Sequence, residues 1–174
     1  MDLITPDQRD ELFDTLERDA FHLELRDEYG VPRENAPFAR WKRGERDDGA
    51  WMEPWLARVR ISASAGRSMR RLRIVTEPVS DYIRWEHAVT PPMVEAGEEI
   101  RWLPRNQLPA VEFPLDGSDW WLFDDQLLAV GRFDHDGRVL GSELVTDPAV
   151  VAHCAAVRDH LWPLAIPHAE YKPA

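Results

Sequence analysis

The 174-residue chain lacks paired cysteines, long apolar runs and an excess of basic residues. Its single cysteine, Cys154, cannot form an intrachain disulfide or a cysteine-based zinc site, so we expect it to be a small buried residue. No apolar run approaches the roughly 20 residues that cross a bilayer. The first residues, MDLITPDQRDELF, are acidic and amphipathic, whereas a signal peptide is basic and then apolar. We therefore expect a cytoplasmic protein that does not bind membranes.

The charge distribution excludes one partner class and indicates another. A formal net charge of -11 argues against direct binding of nucleic acid, because the phosphate backbone would be repelled. Residues 54–76 contain no carboxylate and six arginines: Arg58, Arg60, Arg67, Arg70, Arg71 and Arg73. Such a cluster indicates either a face for a small anionic ligand or arginines that neutralise internal glutamates.

Length and composition favour one globular domain. Hydrophobic residues make up 44% of the sequence and charged residues 30%, as in ordinary globular proteins. A chain of this size buries about two-thirds of its unfolded surface. We predict an α/β (α+β) domain, with an N-terminal helical part and one strand in residues 1–66, and a mixed sheet and a C-terminal helix in residues 67–174.

The N-terminal part begins with a helix that Thr5 caps and that we expect to reach about Arg18. Next, AFHLELRDEYG alternates apolar with polar residues, the period of a half-buried strand whose polar members are His22, Glu24 and Arg26. A histidine beside a carboxylate is a candidate general base. The alternative is a solvated or cross-strand paired polar face. Two helical segments follow, with apolar positions at Phe38 and Trp41 and then at Trp51, Trp55, Val59 and Ile61.

The C-terminal part predicts a strand, helix, strand unit and then antiparallel hairpins. RRLRIVTEP and EEIRWLPR have strand patterns, and a helix capped by Ser80 lies between them. The strands DWWLFDD, LLAVGRFD and VLGSELVT are separated by turns at Asp124-Asp125 and Asp136-Gly137. A last helix begins at Asp147-Pro148 and carries one apolar stripe: Val150, Cys154, Val157 and Leu161.

The arginine cluster supplies the second set of candidate site residues. Arg71 and Arg73 share one face of their strand, and Arg101 lies on the strand expected nearby. Ion pairs with Glu77, Glu86 or Glu99 also explain the cluster, and we favour them over an anion site. Trp120 and Trp121 point to opposite faces, so one of them can form an apolar wall. The candidate ligand-binding set is His22, Glu24, Arg26, Arg71, Arg73, Arg101, Trp120 and Trp121; we predict no catalytic residue, metal or cofactor.

The chain resembles an uncharacterised actinobacterial family of small proteins that are often found beside helix-turn-helix regulators. The matching segments are FHLELRDEYG, VTEPVSDYIRWE, AGEEIRWLPR, WWLFDD and LWPLAIPHAEY. The resemblance implies no activity, but it implies a helix-turn-helix regulator as a partner.

A second, partial resemblance, over residues 72–165, is to the phospholipase D-like fold. WLFDD, LLAVG and VRDHLWPLA are similar to its strands and helix. The catalytic motif of that superfamily needs a histidine, a lysine two residues later and an aspartate five after the lysine. With Asp124 as the aspartate, Asp119 and Gly117 stand in place of lysine and histidine. The resemblance therefore implies a fold without the chemistry, as in some ligand-sensing domains.

These observations favour a non-enzymatic regulatory or ligand-binding module. The alternative is a hydrolase or transferase with an unfamiliar site around His22, Glu24 and Arg26. A third reading is a protein-interaction partner whose acidic surface meets a basic regulator. Homodimer formation is left open.

Overall fold

The structure, a computed structural model, describes residues 3–174 and contains one mixed sheet of seven strands. The strands are β1 (Asp19–Glu24), β2 (Ser68–Val75), β3 (Glu98–Pro104), β4 (Trp120–Phe123), β5 (Leu127–Phe133), β6 (Val139–Val145) and β7 (Ile166–Pro167). The helices are α1 (Pro6–Glu11), α2 (Pro32–Lys42), α3 (Glu53–Ser64), α4 (Asp81–Val89), α5 (Pro91–Ala96) and α6 (Pro148–Leu161). Across residues 3–174, no helix is both long and apolar enough to cross a membrane.

The strand order is β6-β5-β4-β1-β2-β3-β7, with the three parallel strands β1, β2 and β3 side by side. β4, β5 and β6 continue the sheet as antiparallel hairpins, and β7 pairs antiparallel with β3 at the other edge. Helices α2 and α3 connect β1 to β2, and α4 and α5 connect β2 to β3. The predicted α/β domain with a mixed sheet, a strand, helix, strand unit and a C-terminal helix is confirmed.

Each face of the sheet packs against its own helices. Phe21 and Leu23 of β1 and Leu72 and Ile74 of β2 belong to the core beneath α6. The buried stripe of α6 contains Val151, Cys154, Val157 and Leu161, so Val151 replaces the predicted Val150. On the opposite face, residues of α3, α4 and α5 form a second core with Ala20, Met69 and Ile100 of the strands.

The Asp124-Asp125 pair forms the turn between β4 and β5, as predicted. Both residues have positive φ angles, 52° and 58°, which aspartate tolerates better than most residues. The Asp124 carboxylate accepts hydrogen bonds from the backbone N–H groups of Glu17, Arg18 and Asp19 at 2.7–2.9 Å. The turn therefore fixes the segment that leads into β1.

Two details of the predicted helices are wrong. The first helix ends at Glu11, a 3₁₀ turn covers Leu12–Thr15, and Leu16 is already extended. The contacts of Asp124 with the N–H groups of residues 17–19 hold the chain in the approach to β1, so the helix cannot reach Arg18. Ile61 is 64% exposed, because the buried face of α3 carries Leu56, Val59 and Ser62.

Candidate functional site

A cavity of about 140 Å³ lies over the face of the sheet that α3, α4 and α5 cover. Its floor is formed by His22, Glu24, Arg71, Arg73 and Trp121. Its walls include Tyr29, Glu34, Trp51, Trp55, Tyr82, Trp85, Glu86 and Asp119. The cavity therefore combines aromatic rings with a concentration of ionisable groups.

Strand register brings the polar floor together. His22 is opposite Arg71 on the parallel neighbour β2, and Glu24 is opposite Arg73. On the other side of β1, His22 is opposite Trp121 of β4. Because side chains alternate between faces along each strand, all five point to the same face of the sheet.

Glu24 is the centre of a buried ionic network. It accepts a hydrogen bond from Nη1 of Arg71 at 2.5 Å, and its Oε2 lies 2.9 Å from Nε of Arg73. Arg71 also donates from Nε to Glu98 at 2.7 Å, and Nη1 of Arg73 lies 2.8 Å from Glu86. Two arginines thus form ion pairs with three glutamates.

Aromatic rings enclose this network. The His22 ring stacks on Trp121, with centroids 4.2 Å apart and planes 12° from parallel. The Arg71 guanidinium lies 5.5 Å from the Trp121 centroid and 5.6 Å from that of Trp55. Arg73 lies 5.1 Å from the ring centroid of Trp102. These contacts hold both guanidinium groups against aromatic rings, and the side chains of Arg71 and Arg73 are only 12% and 4% exposed.

Some buried atoms of the network are close to an ionisable partner but lack an aligned hydrogen bond among the described residues. They are Nδ1 of His22, Oε2 of Glu24, Oε2 of Glu86, and Nε and Nη1 of Arg73. Buried polar atoms without aligned partners cost free energy, and such atoms occur where a ligand or water completes the bonding.

Burial shifts the protonation of several lining groups. It lowers the pKa of His22 to about 4, although Glu24 opposes the shift. It raises the pKa of Glu86 to about 8, with Arg73 opposing and Glu24 adding to the rise. Burial also raises the pKa of Asp119 to about 7. At pH 7, His22 is therefore neutral, and Glu86 holds a proton more readily than an ordinary glutamate.

The outer part of the cavity carries two tyrosine–carboxyl pairs. The Tyr29 hydroxyl donates to Asp119 at 2.6 Å, and Asp119 also accepts from the N–H group of Leu25 at 2.8 Å. The Tyr82 hydroxyl donates to Glu34 at 2.5 Å. Burial raises the pKa of Glu34, which places a third carboxyl with raised pKa on the same cavity.

Comparison with known families covers nearly the whole chain. Residues 7–173 match the family described as Domain of unknown function (DUF6879). The chain belongs to this family. No curated protein matches it. The cavity therefore lies within a DUF6879 domain.

The DUF6879 cavity brings together five of the eight residues that the sequence singled out: His22, Glu24, Arg71, Arg73 and Trp121. Trp120 also borders it, but its indole ring packs against Phe21 in the core on the other face, with centroids 5.6 Å apart. Whether these residues bind a ligand stays a prediction.

Arg26 and Arg101 lie away from the cavity. β1 ends at Glu24, so Arg26 is not on its polar face; it is exposed and lies over the Phe133 ring at 4.7 Å. Arg101 is opposite Leu72 in the sheet, which directs it to the other face from Arg71. There it stacks over Trp162 at 4.4 Å and donates to the Trp162 carbonyl at 3.0 Å. The expectation that Arg101 joins Arg71 and Arg73 is wrong.

The predicted glutamate partners were only partly right. Glu86 pairs with Arg73 as expected. Glu77 instead accepts a hydrogen bond from the Tyr171 hydroxyl, and Glu99 is exposed. The other partners are Glu24 and Glu98, because β1 and β3 flank β2.

Sequence reasoning missed Tyr29, Glu34, Tyr82 and Asp119 as lining residues. One signal was present: Tyr82 and Glu86 are four residues apart on α4, and this spacing places both on one helix face. The other three lie outside the strands of the floor, and their position depends on how the α2 segment and the approach to β4 fold over it.

One group of metal-ligand type occurs elsewhere among residues 3–174. Ligand atoms of Asp134, His135 and Asp136 lie within 4.8 Å of one another in the turn before β6. His135 and Asp136 are exposed, and Asp134 binds backbone N–H groups of Asp136 and Arg138. These contacts explain the cluster as a turn.

Proposed function

We propose that the protein is a non-enzymatic ligand-binding module whose cavity over β1 and β2 receives a small molecule. The observation that carries this proposal is the set of buried polar atoms without aligned hydrogen bonds inside an aromatic-lined cavity. Concave sites with aromatic walls and a few converging polar groups are the usual form of small-molecule sites. The cavity of about 140 Å³ suits a ligand of a few carbon atoms or a single ring.

The protonation of His22 favours binding over catalysis. A base with a pKa of about 4 removes protons poorly at neutral pH. In addition, the alternative hydrolase or transferase site required Arg26, which is exposed and outside the cavity. Turnover of a compound that disappears in His22→Ala would overturn the non-enzymatic part of the proposal.

The sequence made two finer predictions, one of a partner and one of a ligand class. A helix-turn-helix regulator is proposed as the partner that receives the ligand signal, supported by the family resemblance and by the acidic charge of the chain. A small anion is the ligand class that the arginine-rich segment predicted; because Arg71 and Arg73 are both paired with glutamates, it is the rival class that a carboxylate probe tests.

The proposed function predicts that a small molecule stabilises the protein through this cavity. We expect at least one compound from a panel of amines, carboxylates, alcohols, sugars and nucleosides to raise the Tm, because binding to the folded state alone adds about 2.7 kcal/mol at a hundredfold excess over Kd. Val89→Phe places a ring in the cavity and should abolish the rise. The measurement is differential scanning fluorimetry at several ligand concentrations.

Val94→Phe is the matched control, because it makes the same change at an exposed position on α5. It should keep the full ligand-induced rise. A panel without any stabilising compound would contradict the proposal, as would a rise of equal size in Val89→Phe.

A further inference from the structure

We propose that the ligand is a small organic ammonium ion held by the aromatic rings and carboxyl groups on the α4 side of the cavity. This inference rests on the ligand-binding function proposed above and assigns its chemical class. The residues concerned are Glu34, Trp51, Tyr82, Trp85 and Glu86.

The aromatic side of the cavity has the composition of an ammonium site. Trp51 and Trp85 stack with centroids 5.6 Å apart, and Tyr82 lies 5.5 Å from Trp85. All three border the cavity. The negative faces of indole and phenol rings attract organic cations, and this attraction grows when the site excludes water. Rings of this kind would hold the alkyl groups of an ammonium ion and favour its charge.

Carboxyl groups outnumber the arginines buried with them. Arg71 and Arg73 are the basic groups of the floor, whereas four carboxyl groups line the cavity and a fifth pairs with Arg71: Glu24, Glu34, Glu86, Asp119 and Glu98. Arg73 forms ion pairs with both Glu24 and Glu86, but neither contact has the geometry of a hydrogen bond. Glu86 is 7% exposed and borders the cavity. An additional positive charge beside Glu86 would therefore be electrostatically favourable.

The protonation of the carboxyl groups supports the same conclusion. Burial raises the pKa values of Glu86, Asp119 and Glu34, in each case against the attraction of a nearby arginine. Carboxyl groups retain protons when the surrounding positive charge is insufficient. A bound cation would supply the missing charge.

The remaining charged groups at the cavity are Arg9 and Arg33. Arg9 forms a pair with Asp10, with 2.6 Å between Nη2 and Oδ1. Arg33 is exposed, so solvent screens its charge. Neither group cancels the negative character of the buried carboxyl cluster.

Three probes of the same shape and different charge test the ligand class: choline, 3,3-dimethylbutan-1-ol and 3,3-dimethylbutanoate. We expect choline to bind about tenfold more tightly than the neutral alcohol, since the rings and carboxyl groups act on the charge, and the carboxylate to bind most weakly. Binding is measured by isothermal titration calorimetry on the full chain, with Tm shifts as a second readout.

Glutamine variants test which carboxyl groups contribute to choline binding. Glu34→Gln replaces a half-buried carboxyl group, which can ionise beside a cation, by an amide that cannot; it should weaken choline binding severalfold while leaving the affinity for the alcohol unchanged. Glu86→Gln should do the same, and Glu34→Gln keeps the test valid if Glu86→Gln does not fold. The control is Glu45→Gln, which changes an exposed carboxylate paired with Arg43 and should leave both affinities unchanged.

The outcomes separate the ligand class from the proposed function. Equal or tighter binding of the alcohol or the carboxylate, lost in Val89→Phe, would overturn the ammonium inference and retain a ligand-binding cavity. If no probe binds, the ammonium inference is overturned; if the wider panel also gives no Tm rise, the ligand-binding function fails with it. Choline binding that survives in both glutamine variants would also overturn the inference, because the carboxyl groups would then have no part in recognition.

Discussion

Replacing Arg73 with alanine is expected to destabilise the protein by roughly 3–5 kcal/mol, the cost of removing one partner from a buried ion pair. Arg73 is 3% exposed and lies 2.9 Å from Glu24 and 2.8 Å from Glu86. Without the guanidinium, Glu24 keeps Arg71 and the neutral His22 ring as partners within residues 3–174, and the packing on Trp102 is lost. Urea denaturation monitored by tryptophan fluorescence measures the change in free energy of unfolding.

Arg60→Ala is the matched control, because Arg60 is an exposed arginine on α3 that pairs with Glu53. It should change stability by less than about 1 kcal/mol, as expected for a surface ion pair. If Arg71 and Arg73 instead formed an empty site for an anionic ligand, Arg73→Ala would leave stability unchanged or increase it. The substitution would then reduce the repulsion between crowded positive charges. That result would contradict the neutralised network described above.

The second large effect is a pH-dependent gain in stability for Glu86→Gln relative to the wild type. Burial raises the pKa of Glu86 from 4.5 to about 8, so the folded protein binds a proton that the unfolded chain releases between these values. The contribution of Glu86 to the wild-type free energy of unfolding is therefore fully present below about pH 4.5, and it is lost as the pH rises through 8. Glutamine resembles the protonated acid and does not ionise. The difference in free energy of unfolding between variant and wild type should grow by at most about 4 kcal/mol from pH 5 to pH 9, at about 1.4 kcal/mol for each pKa unit.

The charged groups that face Glu86 come from three elements: Glu24 from β1, Arg71 and Arg73 from β2, and Glu34 from α2. His22 contributes in the opposite sense, because its lowered pKa makes stability rise with pH between about 4 and 6.5. Both sequences contain His22, so its effect cancels in the difference. Urea titrations at five pH values measure the difference, with Glu95→Gln at an exposed position of α5 as the control. A difference that stays flat for Glu86→Gln would show that this carboxyl group is not held protonated in the folded protein.

The alternation of β1 was enough to predict that His22 and Glu24 share a face, because a period of two is a local property of a strand. The alternation did not predict the position of Arg26, because the strand already ends at Glu24. The backbone N–H group of Leu25 then donates to the Asp119 carboxylate. The end of a strand depends on contacts with distant residues, and the sequence pattern does not contain them.

The partners of Arg71 and Arg73 were harder to predict for a related reason. Their common face follows from their spacing, but the choice of Glu24 and Glu98 depends on β2 lying between β1 and β3. Parallel pairing requires crossover connections, so the register is set by α2 to α5 rather than by a turn. The same register directs Arg101 to the opposite face. The antiparallel hairpins were predictable because their turns are local, as at Asp124.

The measurement that tests the ligand-binding cavity most directly is the indole N–H spectrum of the protein with ¹⁵N-labelled tryptophan during a choline titration. The chain has eight tryptophans. Trp51, Trp55 and Trp85 line the walls of the cavity, whereas Trp162 packs on the other face of the sheet. We predict saturable shifts of these three wall resonances, with Trp162 unchanged. Unchanged cavity resonances at saturating choline, or shifts confined to Trp162, would contradict a cavity that receives a small organic cation.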